Sequence, residues 1–300
     1  MNYSSFLNDL PTKEKNQVLK IIDTLKIGGK SEKTIDNYVC SINRFLNFFH
    51  CKNISSLDEE DIINYLKKNY LDKSCSANTY NLNLSAIKYF YSIIFKKNLN
   101  NKLLPHAKLT KKIPATIDKD LFIKILNNES NLEHKCWLLL GYCSGLRANE
   151  VATIKIEDIV SNEHKLKVLG KRNKERFTLL PDITIKYLRK YFTVSFLQHN
   201  KKYNTNGYLF EGIDNLNNIK HINSKTISNY FISIKDKYNL DDNISFHTLR
   251  HSFASNFIKA GGDPFVLKSM LGHSSFNTTS IYIHMGRDFN NLKGVNYEQI

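Results

Sequence analysis

The chain has 300 residues, which is long for one domain and sufficient for two. Its hydrophobic fraction of 41% is typical of globular proteins, and it contains no apolar run of roughly 18 residues that could span a membrane. Residues 1–17 lack the apolar core of a secretory signal, so we expect a cytoplasmic protein.

The formal charge of +15 is spread over the whole chain. Residues 1–112 carry 18 Lys and Arg against 10 Asp and Glu, and residues 113–300 carry 25 against 18. Because both parts are basic, a neutral enzyme with a basic tail is excluded. Two basic parts suit a clamp around a polyanion, so the charge favours nucleic-acid binding. A generally lysine-rich surface is the competing explanation.

The cysteines give no sign of a disulfide framework or a zinc site. They are irregularly spaced, odd in number and lack a C-x-x-C pair, at Cys40, Cys51, Cys75, Cys136 and Cys143. Cys136 and Cys143 lie in an apolar run and are predicted to be core thiols. Asp, Glu and His also form no cluster with metal-ligand spacing. We therefore expect no metal and no cofactor.

The first hundred residues are predicted to form a helical domain without strands. Apolar residues recur there at helical spacing in four segments. The predicted helices cover residues 14–26, a segment capped by Ser31, a segment capped by Asp58, and residues 76–95. This pattern predicts a four-helix domain over residues 1–100. Residues 96–117 are rich in Asn and Lys and are interrupted by two prolines, which predicts a basic linker over residues 101–117.

The second domain is predicted to span residues 118–300 and to mix helices with a small sheet. Residues 132–143 are apolar on several faces, which predicts a central core helix ended by Gly145. Residues 165–180 give the clearest strand signal, a hairpin with a basic tip. The other predicted elements are a helix over 121–126, a helix starting at Leu146, a helix over 183–192, an edge segment over 208–210, and a helix over 224–238 capped by Ser224.

Polar residues with a possible shared task follow one another near the carboxyl end. His247 and Arg250 are three residues apart and would share one face of a helix. His273 comes directly after a predicted helix end, and Tyr282 lies in a short apolar run. Each has a simple structural explanation when taken alone, since a Tyr in an apolar run is usually a core residue. Arg147, beside a glycine stop, could likewise form an ion pair with Glu150.

As an ordered set, these residues resemble the tyrosine recombinases, which include phage integrases, Xer-type recombinases and integron integrases. The matching segments are Ser144 to Glu150, Gly170 to Arg176, His247 to Ala254, Leu271 to His273, and Tyr282. The spacings of 23 residues from Arg250 to His273 and 9 residues from His273 to Tyr282 follow the family's usual pattern. The implied fold is mainly α with a small β-sheet (α+β), comprising an N-terminal helical SAM-like core-binding domain and a C-terminal tyrosine-recombinase catalytic domain.

The resemblance also implies a role for each matching residue. The implied catalytic set is Arg147, Lys171, His247, Arg250, His273 and Tyr282, with Glu150 supporting the first arginine. The arginines would hold the scissile phosphate with the histidines assisting, Lys171 would protonate the leaving 5′ oxygen, and Tyr282 would attack. Further DNA contacts are expected from Lys88, Arg172 and Lys174. The family often has Gly where this chain has Arg172, which leaves Arg172 and Lys174 as alternative proton donors. His251 matches a common family residue and has no role beyond structure assigned to it.

The chemistry of these residue types agrees with that reading. Two arginines can neutralise the charge that builds on a phosphodiester under attack without a metal ion. Neighbouring cations favour the phenolate of a tyrosine and so activate it as a nucleophile. The implied product is a 3′-phosphotyrosine with a free 5′ hydroxyl, which retains the ester's energy and needs no ATP for religation.

The implied function is site-specific recombination through a Holliday junction. The expected partners are double-stranded DNA recombination sites, bound by a homotetramer, with accessory DNA-bending proteins as further candidates and the bacterial nucleoid as the place of action. A monomeric type IB topoisomerase and a DNA-binding module with a dead active site are the alternatives. The four-helix first domain and the Xer-like spacing oppose the former, and the complete residue set opposes the latter.

Overall fold

A computed structural model describes residues 7, 10–50, 52–109, 114–170, 174–199, 207–213, 219–272 and 282. The chain divides into two compact units, Met1–Lys111 and Lys112–Ile300, each with its own hydrophobic core. The fold class predicted from the sequence, mainly helical with small sheets, is confirmed.

The first unit is built from helices, and its described residues include no strand. Ser31 and Asp58 cap their helices as predicted, because the side chain of each accepts a backbone N–H of the first turn. The sequence did not predict that a π-helical turn, Lys67–Leu71, continues the third helix. The helices are α1 (Thr12–Ile27), α2 (Glu32–Phe48), α3 (Glu59–Leu66) and α4 (Ala77–Ile94).

The segment after α4 lies along that helix, held by polar side chains. Asn81 both donates to and accepts from the backbone of Ala107, at 2.9 and 2.7 Å. Lys88 Nζ donates to the Leu104 carbonyl at 2.6 Å and to the Asn101 side chain at 2.8 Å. Leu104 itself is buried in the core of the first unit. The first part of the predicted linker is therefore bound to the helical unit.

The second unit mixes helices with two small sheets. Its helices are α5 (Lys119–Asn127), α6 (Leu132–Ser144), α7 (Ala148–Ala152), α8 (Asp182–His199), α9 (Ser224–Lys237), α10 (Phe246–Lys259) and α11 (Pro264–Leu271). Its strands are β1 (Ile159–Val160), β2 (Lys165–Leu169), β3 (Glu175–Leu179), β4 (Glu211–Ile213) and β5 (Ile219–His221). The strands form an antiparallel β1-β2-β3 sheet and a separate β4-β5 pair.

Helix α6 is the centre of the second core, as predicted. Its residues from Cys136 to Ser144 are all buried, including both predicted core thiols. It ends at Gly145, which has the left-handed φ of 68° that favours glycine. Helix α10 packs against α6 through Leu249, which lies close to Gly141.

Three local predictions need correction. The helix after Gly145 begins at Ala148, with Arg147 as its extended N-cap residue, and does not begin at Leu146. Asn223, and not Ser224, caps α9, because its side chain accepts the N–H of Lys225. The predicted edge segment contributes a single bridge, between Tyr208 and Lys155, and the strand itself begins at Glu211.

None of the helices in the described ranges has the length and apolar character that crossing a membrane requires.

Replacing Gly145 with Ala should destabilise the second unit by about 3 kcal/mol. A left-handed φ costs a residue with a Cβ about 1 kcal/mol, and the new methyl would lie 2.5 Å from Phe253, which adds an overpacking cost. The measurement is urea unfolding followed by the fluorescence of Trp137, the single tryptophan. Gly261→Ala is the matched control, because Gly261 has a φ of 83° with no atom near its added Cβ. Equal losses in the two variants would refute the packing argument.

Candidate active site

Two helix ends in the second unit point their last carbonyl groups at the same place. Helix α6 ends at Gly145, and α11 ends at Leu271, followed by Gly272 with a left-handed φ of 64°. The last carbonyls of a helix lack partners within it and carry the negative end of the helix dipole. Such ends therefore favour cationic donors.

Arg250 satisfies one carbonyl from each helix. Its Nη1 donates to Gly145 O at 2.8 Å and its Nη2 donates to Leu271 O at 2.6 Å. The side chain is 1% exposed, which makes it the floor of the site. Burial and the nearby charge of Arg147 lower the pKa of Arg250 to about 9, so the group remains protonated at neutral pH.

Arg176 is a second buried guanidinium in the site, and we did not assign it a role from the sequence. Its Nε donates to Met270 O at 2.6 Å, and its Nη2 donates to Glu150 Oε2 at 2.8 Å. A signal was available, because Arg176 pairs with Val168 across the hairpin. Cross-strand partners share a face, so the buried Val168 places Arg176 on the inward face.

Glu150 connects the arginines. Its carboxylate accepts from the side chain and the backbone N–H of Arg147, both at 2.9 Å, and lies 3.6 Å from Arg250 Nη1. Burial raises the pKa of Glu150, but its bonds with Arg176 and the other positive groups outweigh that effect and hold it below its usual range. Glu150 is therefore ionised at neutral pH and holds the cations together.

Arg147 is the exposed arginine of the site. As the N-cap residue of α7 it lies outside the helix, and its side chain is 42% exposed. The ion pair with Glu150 that the sequence suggested as a simple alternative is present. That pair leaves the guanidinium at the surface, so the structural role and the predicted phosphate-binding role are compatible.

Two histidines of α10 lie beside these groups. His247 and His251 are one helical turn apart, with ring centroids 4.6 Å from each other. Partial burial and the charges of Arg250 and Arg147 lower the pKa of His247. Burial, followed by His247 and Arg250, lowers the pKa of His251 to about 4, so this ring is neutral at pH 7.

Tyr282 is buried against α10 and faces His251. Its hydroxyl oxygen lies 2.5 Å from His251 Nδ1, and the residue is 3% exposed. Burial raises the pKa of Tyr282, and the opposing effects of Arg250 and Arg147 do not overcome it. The expected activation by neighbouring cations thus acts in the predicted direction but is outweighed by burial, and the free protein holds a protonated phenol.

Of the remaining predicted residues, the structure describes only Lys174 and Lys88. Lys171, Arg172 and His273 lie outside the described residues. Lys174 is exposed at the end of the hairpin, where its carbonyl accepts from the N–H of Gly170. Lys88 belongs to the first unit and donates to the segment after α4.

The described part of the site has an excess of positive charge. Three guanidinium groups surround one carboxylate, with a tyrosine hydroxyl nearby. Such an arrangement can bind an oxyanion and present a nucleophile to it. Within the described ranges, no group of three or more His, Cys, Asp or Glu side chains is placed to hold a metal ion.

Replacing Glu150 with Gln should destabilise the second unit by about 3 kcal/mol, because it leaves buried guanidinium charge without its counter-ion. Urea unfolding followed by Trp137 fluorescence measures the change. The pKa of Glu150 is lowered by folding, so its ionised form stabilises the fold above the ordinary carboxyl pKa. This contribution is lost as the pH falls through the pKa that Glu150 has in the folded protein. The difference in unfolding free energy between Glu150→Gln and the wild type should therefore narrow below about pH 4.

Glu163→Gln is the control for that measurement. Glu163 pairs with Lys165 at 2.9 Å, but both side chains are more than half exposed, so the loss should stay below about 1 kcal/mol. An equally small loss for Glu150→Gln would show that the buried carboxylate does not hold the site together.

Comparison with known proteins identifies related sequences over both units. The sequence profile of the Phage integrase family matches residues 116–287, and that of the phage integrase N-terminal SAM-like domain matches residues 18–101. A tyrosine recombinase of Thermosipho africanus is 28% identical over 269 residues, covering 85% of this chain and 89% of the relative. Tyrosine recombinase XerD of Staphylococcus haemolyticus is 29% identical over 282 residues, covering 90% and 93%.

Solved structures share the fold. The XerH site-specific recombinase bound to palindromic difH substrate has a TM-score of 0.71 at 19% identity, covering 94% of this chain and 83% of that chain. A lambda integrase dimer bound to a COC′ core site has a TM-score of 0.68 at 18% identity, covering 94% and 98%. The family profile alone spans more than half of the sequence, which confirms the resemblance seen in the motifs. The chain therefore belongs to the phage integrase family of tyrosine recombinases.

Proposed function

We propose that this protein is a site-specific DNA recombinase that cleaves and rejoins DNA strands through a 3′-phosphotyrosine at Tyr282. Family membership supports the reaction class. One observation supports assigning this reaction to particular residues. In the second unit Arg147, Glu150 and Arg250 lie together, and Tyr282 is buried beside α10, the helix that carries Arg250.

The two predicted arginines would divide the work of holding the scissile phosphate. Arg147 is exposed and can meet a phosphate arriving from solvent, while Arg250 forms the buried floor. A guanidinium offers a planar fork of donors, which matches two oxygens of a phosphate. Negative charge that develops on the non-bridging oxygens during attack would be stabilised by groups already fixed in place.

Tyr282 would release its phenolic proton to water, its oxygen would attack the phosphorus, and the bond to the 5′ oxygen would break. The burial that raises the pKa of Tyr282 implies that the phenol keeps its proton until DNA occupies the site. Lys171 would protonate the leaving 5′ oxygen, with Arg172 and Lys174 as alternative donors, and His273 and His247 would assist the arginines. Reversal of the same steps on an exchanged strand would religate the DNA, without hydrolysis of ATP.

The partners we propose are double-stranded recombination sites bound by a homotetramer, aided by accessory DNA-bending proteins. The solved XerH structure contains a difH substrate and that of lambda integrase a COC′ core site, which supports DNA as the partner. The domain division we propose is a DNA-binding domain over residues 1–100, a basic linker over 101–117 and a catalytic domain over 118–300. The net positive charge of both parts of the chain supports a clamp around DNA.

Capture of covalent complexes tests this function and finds the DNA site in the same experiment. The protein is incubated with fragmented genomic DNA of the organism that encodes it, the mixture is denatured with detergent, and protein-linked fragments are sequenced. Mass spectrometry of the digested adduct should locate a nucleotide on Tyr282, and the released ends should carry 5′ hydroxyls. A link through another residue, a 5′ linkage, or no adduct would contradict the proposal.

Tyr282→Phe should abolish covalent attachment to the captured duplex and leave its binding affinity within about twofold, because only the attacking oxygen is lost. A nicked suicide substrate run on a denaturing gel measures attachment, and a gel shift measures binding. Tyr238→Phe is the matched control, since the one hydrogen bond of the Tyr238 hydroxyl to a described residue is long, at 3.5 Å to Lys124 O. An adduct with the Tyr282 variant would overturn the assignment.

DNA affinity should fall steeply with salt because bound lysines and arginines release counter-ions from the phosphates. If the chain neutralises as few as about two phosphates, raising the salt from about 50 to 200 mM should weaken binding roughly tenfold, and more phosphates give a steeper loss. A titration of the captured duplex at several salt concentrations measures the slope. A flat response would count against the clamp.

A further inference from the structure

The contact between His251 and Tyr282 has no part in the roles considered so far. His251 lies on the turn of α10 that follows His247 and Arg250, and it is half-buried. Its Nδ1 lies 2.5 Å from the Tyr282 hydroxyl oxygen, and the two ring centroids are 5.9 Å apart. This hydrogen bond joins the half-buried His251 to the buried Tyr282, 31 residues away along the chain, and so restrains the position of both side chains.

We propose that His251 is a positioning residue. Its Nδ1 accepts a hydrogen bond from the nucleophilic hydroxyl of Tyr282 and so holds that hydroxyl in the site. This inference rests on the proposed function of Tyr282 and deepens it. It assigns His251 a task different from the one that the family resemblance implies for His247, which is to assist the arginines that hold the phosphate.

The direction of the hydrogen bond follows from the surroundings of the two rings. Burial, followed by His247 and the guanidinium of Arg250, opposes a positive charge on His251, so its ring is neutral and one of its nitrogens is free to accept. The phenol of Tyr282 is protonated, and its hydroxyl is therefore a donor. With the proton of the ring on Nε2, Nδ1 is the acceptor, and the pair needs no exchange of protons in the free protein.

Fixing the hydroxyl has a chemical benefit. A tyrosine side chain held by packing alone can turn its hydroxyl to any acceptor, whereas the bond to Nδ1 defines where the oxygen and its hydrogen lie. Attack on a phosphate requires the oxygen to approach along the line opposite the leaving group, and loss of alignment slows such a step. His251 belongs to the same helix as Arg250, so this helix carries both the phosphate grip and the support of the nucleophile.

Nitrogen NMR of the free protein tests the contact without any DNA. In protein labelled with ¹⁵N at histidine, His251 should show a proton on Nε2 and a bare, hydrogen-bonded Nδ1. Tyr282→Phe should shift the Nδ1 signal of His251 and leave the other histidines almost unchanged. His251→Asn identifies the resonance. A proton on Nδ1 in the wild type, or no response to Tyr282→Phe, would overturn the proposal.

Substitutions at His251 test the consequence for the reaction. Asn places an acceptor oxygen where Nδ1 stands, Gln places its amide near the position of Nε2, and Leu removes the acceptor. In single-turnover cleavage of the captured, nicked duplex, His251→Gln and His251→Leu should be about tenfold slower than the wild type, as expected for loss of one hydrogen bond. His251→Asn should stay within about threefold, and all three should bind the duplex with unchanged affinity.

The outcomes separate this inference from the proposed function. If the wild type forms no adduct, the proposed function fails, while the NMR result still decides whether His251 holds Tyr282. If the wild type forms the adduct and His251→Gln cleaves as fast as the wild type, the inference fails and the function stands. If His251→Asn is as slow as His251→Leu, acceptance at the Nδ1 position is not what the reaction needs, and the inference also fails.

Discussion

The second unit depends on the pairing of buried guanidinium groups with the carboxyl ends of two helices. The terminal carbonyls of helices α6 and α11 have no partners within their own helices. Arg250 donates to Gly145 O and Leu271 O at these ends, and Arg176 donates to Met270 O. Thr178, from the same hairpin as Arg176, donates to Ser144 O in the last turn of α6. Buried cations are tolerable here because helix dipoles and one carboxylate offset their desolvation.

This arrangement would hold Arg147 and Arg250, the two arginines proposed to grip the phosphate, in place before DNA binds. A guanidinium that spans two helix ends cannot be displaced without disturbing both helices, and Glu150 adds a further link to Arg147. Preorganised donors avoid the cost of reorganisation during reaction. The hairpin contributes Arg176 to the same cluster, so the strand that follows the predicted basic tip is fixed to Glu150, which also pairs with the two arginines proposed to hold the phosphate.

The sequence predicted the elements well where a local pattern determines them. Helical spacing of apolar residues and the caps Ser31 and Asp58 placed the first unit's helices, and the glycine after α6 placed its end. Prediction was less successful where tertiary contacts decide which groups a side chain meets. Arg176 donates to a carbonyl 94 residues away along the chain, and His251 meets a tyrosine 31 residues away, and no local pattern encodes such separations. The apolar run around Tyr282 suggested that this residue is buried, but neighbouring residues do not show that burial outweighs the effect of nearby cations on its pKa.

Arg250 both joins two helix ends and is proposed to hold the phosphate, and this combination affects what happens to damaged copies of the protein in a cell. A copy that loses Arg250 loses the bridge between two helix ends and exposes a core to proteases, so it should be removed soon after synthesis. A copy that loses the hydroxyl of Tyr282 gives up the hydrogen bond to His251, and we expect it to keep its fold. Such a copy would persist as a folded but inactive competitor for the same DNA. Where intact and damaged subunits bind one recombination site together, loss of the Tyr282 hydroxyl would therefore inhibit the reaction more than loss of Arg250.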